Sequence, residues 1–234
     1  MAARPDRRPV RRDGALWRWA AAAVLAAMLL VGVGALRDEL AVQRAQRQLR
    51  AAATGDAPVP LLSQATIDAV RPARAALLLG FAQARAAART DDETLRERRL
   101  AAARALSAKA TAGRPRWGLA TLLGAYADTL AGQAASPTTR EAVARSYDED
   151  GFLAPVAAWR IRYGLSQWPG LTAAARTHVV EEAGWLSTRQ GPGYVIVMPL
   201  IVGTPAEVPV MQVRSRLAHT SAILSSDSGE SGGP

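Results

Sequence analysis

Hydrophobic residues follow two kinds of pattern along this chain, an unbroken apolar run near the N-terminus and helical periodicity beyond it. Residues 19–36 form a stretch of eighteen residues without a charged side chain. At about 1.5 Å of rise per residue, a helix of this length covers about 27 Å, close to the hydrocarbon thickness of a bilayer. The pattern therefore predicts one transmembrane anchor at residues 19–36, with membrane lipid as its partner.

The charges that flank the anchor predict its orientation. The net charge is +4 over residues 1–18 and +2 over residues 37–50, and the more positive side tends to stay in the cytoplasm. Trp17 and Trp19 suit an interfacial position. The competing interpretation is a cleaved signal peptide, with Gly32 and Gly34 as the small residues of a cleavage site. The length favours an anchor in the bacterial inner (cytoplasmic) membrane, with a cytoplasmic N-terminus and a periplasmic C-terminal domain.

Helical periodicity dominates the exported part, and it predicts an all-α fold. Residues 37–71 should form a membrane-proximal helix and a linker, with Gly55, Pro58 and Pro60 ending that helix. Residues 72–190 should form a helical domain. Apolar spacing and breaker residues indicate helices over 72–89, 90–112, 115–131, 137–149, 152–168 and 171–189. Because the breaks are short, we expect antiparallel helical hairpins that resemble a degenerate tetratricopeptide repeat.

The last segments break this periodicity. Residues 191–220 combine an apolar run with Pro192, Pro199, Pro205 and Pro209, so we expect an extended strap or a β-edge rather than a helix. An exposed partner-binding strand is the alternative. Residues 221–234 are rich in serine and glycine, which predicts a disordered tail.

Composition and charge narrow the classes of function. The net charge is +9, but residues 1–50 contribute +6 and residues 114–190 only +1. A nucleic-acid-binding protein carries its basic patch on the folded domain, so we expect no nucleic-acid partner. The chain has no cysteine and two histidines, which excludes disulfides and makes a zinc site improbable. We expect no metal and no cofactor.

Two clusters of polar residues are candidates for a catalytic or metal site. His178, Glu181 and Glu182 lie within one turn of a predicted helix and would suit a metal site or an acid–base pair. The simpler interpretation is a hydrogen-bonded structural histidine. Asp148, Glu149 and Asp150 precede a glycine, where they could bind a cation; more simply, they would be solvated or would favour the start of the helix that follows. Because no catalytic motif is present, we assign no catalytic residue and no small-molecule substrate.

The tryptophans of the predicted domain offer the remaining candidate surface. Aromatic faces stack on sugars and anchor protein partners, but tryptophans at helical spacing more often belong to a core. The candidates for partner or glycan contact are Trp117, Trp159, Trp168 and Trp185.

Short motifs within residues 114–189 carry a family resemblance. They are Arg114-Pro115-Arg116-Trp117, Phe152-Leu153-Ala154-Pro155-Val156, Trp168-Pro169-Gly170-Leu171-Thr172 and Arg176. In these motifs the chain is similar to the small VpsP-type membrane proteins of bacterial exopolysaccharide clusters, in which one N-terminal span precedes a short exported helical domain. A glycine-proline-tryptophan element of that family is replaced here by Leu153, Ala154 and Pro155. The resemblance implies an accessory role in polysaccharide assembly and brings no catalytic residues.

Three functions are compatible with these features of the sequence. The leading hypothesis is a membrane-anchored periplasmic scaffold that supports exopolysaccharide assembly or export by contacting an envelope protein. A bitopic subunit of another envelope machine, for secretion or division, is the second. A glycan-acting enzyme that uses the tryptophans and carboxylates is the third.

Overall fold

The computed structural model describes residues 13–189 and 192–227, and within those ranges the chain is entirely helical. Ten α-helices and one 3₁₀ turn, Trp168–Gly170, are present, and no strand occurs among the described residues. The all-α prediction is confirmed. The helices are α1 (Asp13–Thr54), α2 (Gln64–Ala69), α3 (Ala73–Ala87), α4 (Glu93–Gly113), α5 (Gly118–Leu130), α6 (Pro137–Glu149), α7 (Ala157–Ser166), α8 (Ala173–Thr188), α9 (Pro192–Ile201) and α10 (Glu207–Asp227).

Helix α1 joins the apolar stretch to the rest of the fold without a break over 42 residues. Its first half contains a window that is long and apolar enough to cross a membrane, and none of that window is buried. Its second half packs against α3, where Val42 and Ala45 meet Ala75, and Ala52 meets Ala82. One helix thus changes from fully exposed to packed along its own length.

The predicted linker is non-helical, but it packs against the helical domain. Residues 55–62 form no helix, as the glycine and the prolines predict. Val59 is nevertheless buried, and its carbonyl accepts a hydrogen bond from Arg99 of α4 at 2.8 Å. Gln83 of α3 donates to the carbonyl of Pro60 at 2.8 Å. The segment therefore binds along α3 and α4, and burial lowers the pKa of Arg99 below its usual value.

Six helices, α3 to α8, occur where the periodicity predicts them. Consecutive helices pack as α3 with α4, α4 with α5, α5 with α6, and α7 with α8. Short turns between such neighbours make them antiparallel. Side-chain oxygens begin α4, α6 and α8, where Asp92, Ser136 and Thr172 each accept a hydrogen bond from the backbone N–H three residues on. These caps stabilise orphan N–H groups at each helix start.

Helix α5 and helix α7 connect the three main apolar clusters. Leu123 of α5 belongs to the cluster of α3 and α4, whereas Leu122 belongs to the cluster of α6, α7 and α8. On α7, Tyr163 faces that second cluster and Ile161 faces a third, formed with α8, α9 and α10. Helix α7 is thus covered on two sides, and it begins only at Ala157, five residues after the predicted start at residue 152.

The described residues 192–220 form two helices joined by a turn, and the prediction of an extended strap or a β-edge is wrong. Pro192 and Pro209 lie in the first turns of α9 and α10, where a missing N–H removes no helical hydrogen bond. Pro205 lies in the connecting turn. Only Pro199 is inside a helix, and α9 ends two residues later. Four buried valine and isoleucine side chains on α9 and α10 drive this packing, namely Val197, Ile201, Val210 and Val213.

Helix α10 continues to Asp227, seven residues into the segment predicted as a disordered tail. Residues 228–234 of that predicted tail lie outside the described residues, as do residues 1–12 of the predicted cytoplasmic N-terminus.

Candidate functional site

An aromatic cavity opens between α3, α5 and the start of α7. Its volume is about 300 Å³. Phe81 and Tyr126 approach with ring centroids 6.4 Å apart, and Tyr126 meets Trp159 edge to face at 5.5 Å. The lining residues are Phe81, Arg85, Leu122, Tyr126, Pro155, Val156, Ala158, Trp159 and Arg162. The cavity is open on one side, so a ligand can reach the aromatic rings.

Two guanidinium groups give this cavity a positive charge. Arg85 on α3 and Arg162 on α7 are exposed and line it, and no carboxylate does. Within the described chain neither arginine makes an ion pair. Aromatic rings beside unpaired guanidinium groups suit an apolar group that carries a neighbouring carboxylate. The lining has no Asp, Asn, Glu, Gln or His, so it offers few partners to the hydroxyls of a sugar.

A second guanidinium site is closed. Arg160 of α7 and Glu182 of α8 form an ion pair in which both side chains are fully buried. The Nε of Arg160 donates to Glu182 Oε2 at 3.0 Å, and its Nη2 donates to Oε1. The hydroxyl of Tyr147 also donates to Glu182 Oε2, at 3.2 Å, and the backbone N–H of Leu153 donates to Oε1 at 3.2 Å. Four donated hydrogen bonds thus surround the Glu182 carboxylate.

The remaining donors of Arg160 hold the turn between α6 and α7. Its Nη1 donates to the carbonyls of Ser146 and Asp150, and its Nη2 donates to the carbonyl of Gly151 at 2.9 Å. Its guanidinium carbon lies 3.9 Å from the centre of the Tyr147 ring. Because a buried charge is tolerated only when it is paired and fully hydrogen-bonded, this network fixes α6, α7 and α8 together.

Burial changes the acidity of two tyrosines in this part of the fold. Desolvation raises the pKa of Tyr147 well above its usual value, and the neighbouring Glu182 carboxylate raises it further. Desolvation also raises the pKa of Tyr163 to about 12. The hydroxyl of Tyr163 donates to the carbonyl of Ala134 at 2.8 Å. Both phenols are therefore neutral hydrogen-bond donors at ordinary pH.

The predicted cluster of His178, Glu181 and Glu182 is divided by the fold. Glu182 points into the buried network, whereas the Nδ1 of His178 lies 3.7 Å from Glu181 near the surface. The imidazole stacks on Tyr147 at 5.5 Å, and its Nε2 lies 3.8 Å from Asp148. In the described part of the chain, no three His, Cys, Asp or Glu side chains converge as a metal site.

The three carboxylates before Gly151 have separate positions. Asp150 accepts a hydrogen bond from the N–H of Gly118 at 2.9 Å, at the start of α5. Glu149 accepts one from the Thr121 hydroxyl at 2.6 Å. Asp148 is exposed beside His178. Two of the three thus connect α6 to α5. Asp150 accepts its hydrogen bond at the start of α5, not at the start of the following helix, where the sequence predicts it.

The four candidate tryptophans are half-buried, and the structure distributes them over the domain. Trp159 lines the aromatic cavity, and Trp168 packs on the second and third clusters. Trp117 lies under the guanidinium of Arg114 at 4.9 Å. Trp185 stacks on Phe152 at 5.2 Å. Of the four, only Trp159 contributes to the described cavity, so the rings do not assemble into that one groove.

Reasoning from the sequence missed Arg160 and the cavity arginines. A signal for Arg160 was present, because this charge lies on a helical face with Val156 four residues before it and Gly164 four residues after it. Glu182 similarly interrupts the apolar stripe of Val179, Ala183 and Leu186. Opposite charges on the apolar faces of consecutive helices predict a buried pair. Arg85 and Arg162 carry no such signal, since an exposed arginine is ordinary.

A further exposed surface lies on α9. Val195 and Ile196 are 69% and 46% exposed, and Tyr194 and Val202 are exposed beside them. Contiguous exposed apolar side chains often mark contact with another protein or with a membrane. The segment predicted as a possible partner-binding strand thus carries an apolar surface on a helix.

Comparison of the chain with known protein families, with characterised proteins and with solved structures finds no match.

Proposed function

We propose that the protein is a single-pass, membrane-anchored scaffold whose helical domain binds another envelope protein and supports exopolysaccharide assembly or export. One observation carries this proposal. Helix α1 runs unbroken from an exposed apolar stretch into the packing against α3. An exposed apolar helix of this length is costly in water and is stable in lipid. The same helix then holds the domain without a flexible tether.

The continuous helix fixes the height of the aromatic cavity above the bilayer. Phe81 of the cavity is followed on α3 by Ala82, and Ala82 packs beside Ala52 of α1. Ala52 lies sixteen residues after Leu36, the last residue of the apolar stretch, and this spacing corresponds to about 24 Å of helix. A partner that is itself in the membrane can present a segment to the cavity at this height. We place the domain in the periplasm because the charges flanking α1 favour a cytoplasmic N-terminus.

The chemistry of the cavity indicates a protein segment as the ligand. Phe81, Tyr126 and Trp159 offer an apolar site for one large side chain, and Arg85 and Arg162 would pair with a carboxylate next to it. Buried aromatic and arginine contacts of this kind dominate the energy of protein interfaces. The role in polysaccharide assembly is supported by the VpsP-type resemblance of residues 114–189.

Site-specific photo-crosslinking in the native cell tests this function. A photoreactive phenylalanine analogue replaces Arg162 at the cavity or Val195 on the exposed face of α9, and the same analogue at Glu97 of α4 is the exposed control. We expect a polysaccharide polymerase or exporter to be captured from position 162 and not from position 97. Position 195 decides whether the α9 surface belongs to the same interface.

Three outcomes would contradict the proposal. Capture of secretion or division components, without polysaccharide machinery, would replace it with the second hypothesis. Equal capture from positions 162 and 97 would remove the cavity as the contact. Loss of exopolysaccharide in a His178→Ala variant that is present at normal level, with no crosslinked partner, would instead favour an enzyme.

A further inference from the structure

Helices α1 and α3, which pack side by side, run in the same direction. Ala75, near the start of α3, packs beside Val42 and Ala45 of α1. Arg89, just after the end of α3, donates to the carbonyl of Ala53 at 2.7 Å. Residue numbers thus increase together along both helices, so α3 runs parallel to α1. If the apolar half of α1 spans a bilayer, the start of α3 is the end of that helix nearest the lipid.

The turn between α4 and α5 lies at this same end. Gly113, the last residue of α4, approaches Ala73, the first residue of α3, so closely that a Cβ added there would lie 3.0 Å from the Ala73 Cβ. Lys109, one turn earlier, donates to the carbonyl of Asp68 at 2.6 Å. The turn before α3 and the turn after α4 therefore form one surface, which we term the membrane-proximal end.

This end carries four exposed guanidinium groups, those of Arg71, Arg74, Arg114 and Arg116. Arg114 stacks on Trp117, and within the described chain none of the four forms an ion pair. An arginine without a carboxylate partner is available for a phosphate, which it can bind through two hydrogen bonds.

The height of these groups matches a layer of phospholipid headgroups. Val42 lies six residues after Leu36, which corresponds to about 9 Å of helix beyond the hydrocarbon. The headgroup layer adds roughly 5–7 Å on each side of a bilayer. Arg71 and Arg74 precede Ala75, the partner of Val42, so their side chains start at or below that height. An arginine side chain spans the remaining gap.

The carboxylates near this height do not cancel the positive charge. Asp38 and Glu39 lie on α1, beside Arg37, and Asp68 accepts a hydrogen bond from Gln64. Asp150, at the start of α5, is bonded to Gly118. Counting Arg37 and Lys109 with the four guanidinium groups, the six cations at this end outnumber these four carboxylates.

We propose that Arg71, Arg74, Arg114 and Arg116 form a binding surface for the phosphates of anionic phospholipids, which seats the domain on the bilayer next to its own anchor. Each arginine near an anionic surface contributes roughly a fivefold preference for the seated arrangement at low salt. Helix α1 sets the height of the domain, and this surface sets how α1 and the domain tilt together in the bilayer. The surface acts on whichever side of the membrane the domain lies.

Because the chain has no cysteine, a single introduced thiol can report on this contact. The full-length protein is reconstituted in lipid nanodiscs with a fluorophore on Ala112→Cys, at the membrane-proximal end, or on Ala88→Cys, at the distal end. A nitroxide on the lipid headgroups quenches fluorophores that lie close to it. With one quarter phosphatidylglycerol in phosphatidylcholine, we expect quenching at position 112 to exceed that at position 88 several-fold, and to fall in 0.5 M salt.

Matched triple variants separate this surface from overall charge. Arg71→Gln, Arg74→Gln and Arg116→Gln together should abolish the increase in quenching that phosphatidylglycerol causes at position 112. The control variant, Arg85→Gln with Arg98→Gln and Arg162→Gln, removes the same charge from exposed positions elsewhere and should keep the increase. Equal quenching at positions 112 and 88, or a lipid response that survives the first triple variant, would overturn the proposal. A circular dichroism spectrum of each variant verifies that it is folded.

Discussion

The buried network and the aromatic cavity both put guanidinium groups beside aromatic rings, and they differ in whether the guanidinium donors are already used. Arg160 is buried over Tyr147, and Glu182 together with three backbone carbonyls uses its donors. Arg85 and Arg162 stand exposed at an open aromatic cavity with no carboxylate in its lining. The closed site has nothing to offer a ligand, so its role is structural, whereas the open site keeps its binding capacity.

The largest effect should follow from breaking the closed site. Arg160→Met leaves the Glu182 carboxylate buried without its counter-charge, and we expect it to lower the free energy of unfolding by about 3–5 kcal/mol. Arg162→Met, two residues along the same helix but exposed, should change it by less than about 0.5 kcal/mol. Urea denaturation of the full chain in detergent, followed by circular dichroism, measures both values. Equal effects of the two substitutions would contradict the comparison.

A double substitution sharpens this result. Arg160→Met with Glu182→Leu removes both charges, so it should destabilise the domain less than the sum of the two single substitutions. Full recovery is not expected, because Tyr147, Leu153 and the carbonyls of the α6–α7 turn lose their partners. Strict additivity of the two single effects would mean that the pair is not coupled.

Close packing of the helices that carry the network gives the next effect. A Cβ at Gly164 of α7 would lie 2.4 Å from Val179 Cγ2 of α8, so Gly164→Ala should force the helices apart and cost about 1–3 kcal/mol. Gly151→Ala, where nothing lies within 4 Å of the added carbon, is the control. The same denaturation experiment applies. An unchanged midpoint for Gly164→Ala would show that the contact between α7 and α8 is loose.

Alkaline pH should destabilise the domain through Tyr147 of the closed site and through Tyr163. Tyr147 and Tyr163 have raised pKa values in the folded state, so the unfolded chain loses these protons first. Each contribution is complete below the unfolded pKa of about 10 and is lost as the pH rises through the raised pKa of the folded phenol, which is about 12 for Tyr163. We expect the unfolding midpoint to fall above pH 10, and to fall less steeply in Tyr163→Phe. An equally steep fall in that variant would exclude Tyr163 as a cause.

The smallest effect on stability should accompany a large effect on binding at the open site. Arg85→Glu with Arg162→Glu reverses the charge of the cavity but breaks no ion pair, so the free energy of unfolding should change by less than about 1 kcal/mol. Capture of a partner through the photoreactive analogue at Val156, which also lines the cavity, should be lost. Persistent capture in this folded variant would show that the cavity arginines are not part of the contact.

Helical periodicity and the breaker residues were enough to predict α3 to α8, because amphipathic helices of this length bury one face against a neighbour. The prediction for residues 191–220 is wrong because it treats every proline as a helix breaker, whatever its position in a helix. Pro192 and Pro209 fall in first turns, and tertiary packing of Val197, Ile201 and Val210 outweighs the one interruption at Pro199. Whether a proline ends a helix depends on its position in that helix, and the sequence indicates where these helices begin only weakly.

The sites were less predictable than the fold. The aromatic cavity depends on Phe81, Tyr126 and Trp159, which come from three helices, and no local spacing brings them together. His178 and Glu182 were grouped because they lie one turn apart, yet a small rotation about the α8 axis sends one to the surface and the other to the core. The attachment of α1 to α3 was also not visible, since residues 37–54 look polar and solvated in isolation.

The central claim is that α1 is one rigid helix that both spans the bilayer and holds the domain. The most direct test is a distance measured by pulsed electron paramagnetic resonance. The otherwise cysteine-free chain carries spin labels on Val33→Cys and Ala88→Cys and is reconstituted in nanodiscs. We predict one narrow distance distribution near about 30 Å, given twenty residues of helix between Val33 and the level of Ala53. A flexible Gly-Ser insertion after Leu40 should broaden it. A broad distribution in the unaltered protein, or a label at position 33 that water-soluble nickel reaches freely, would contradict the claim.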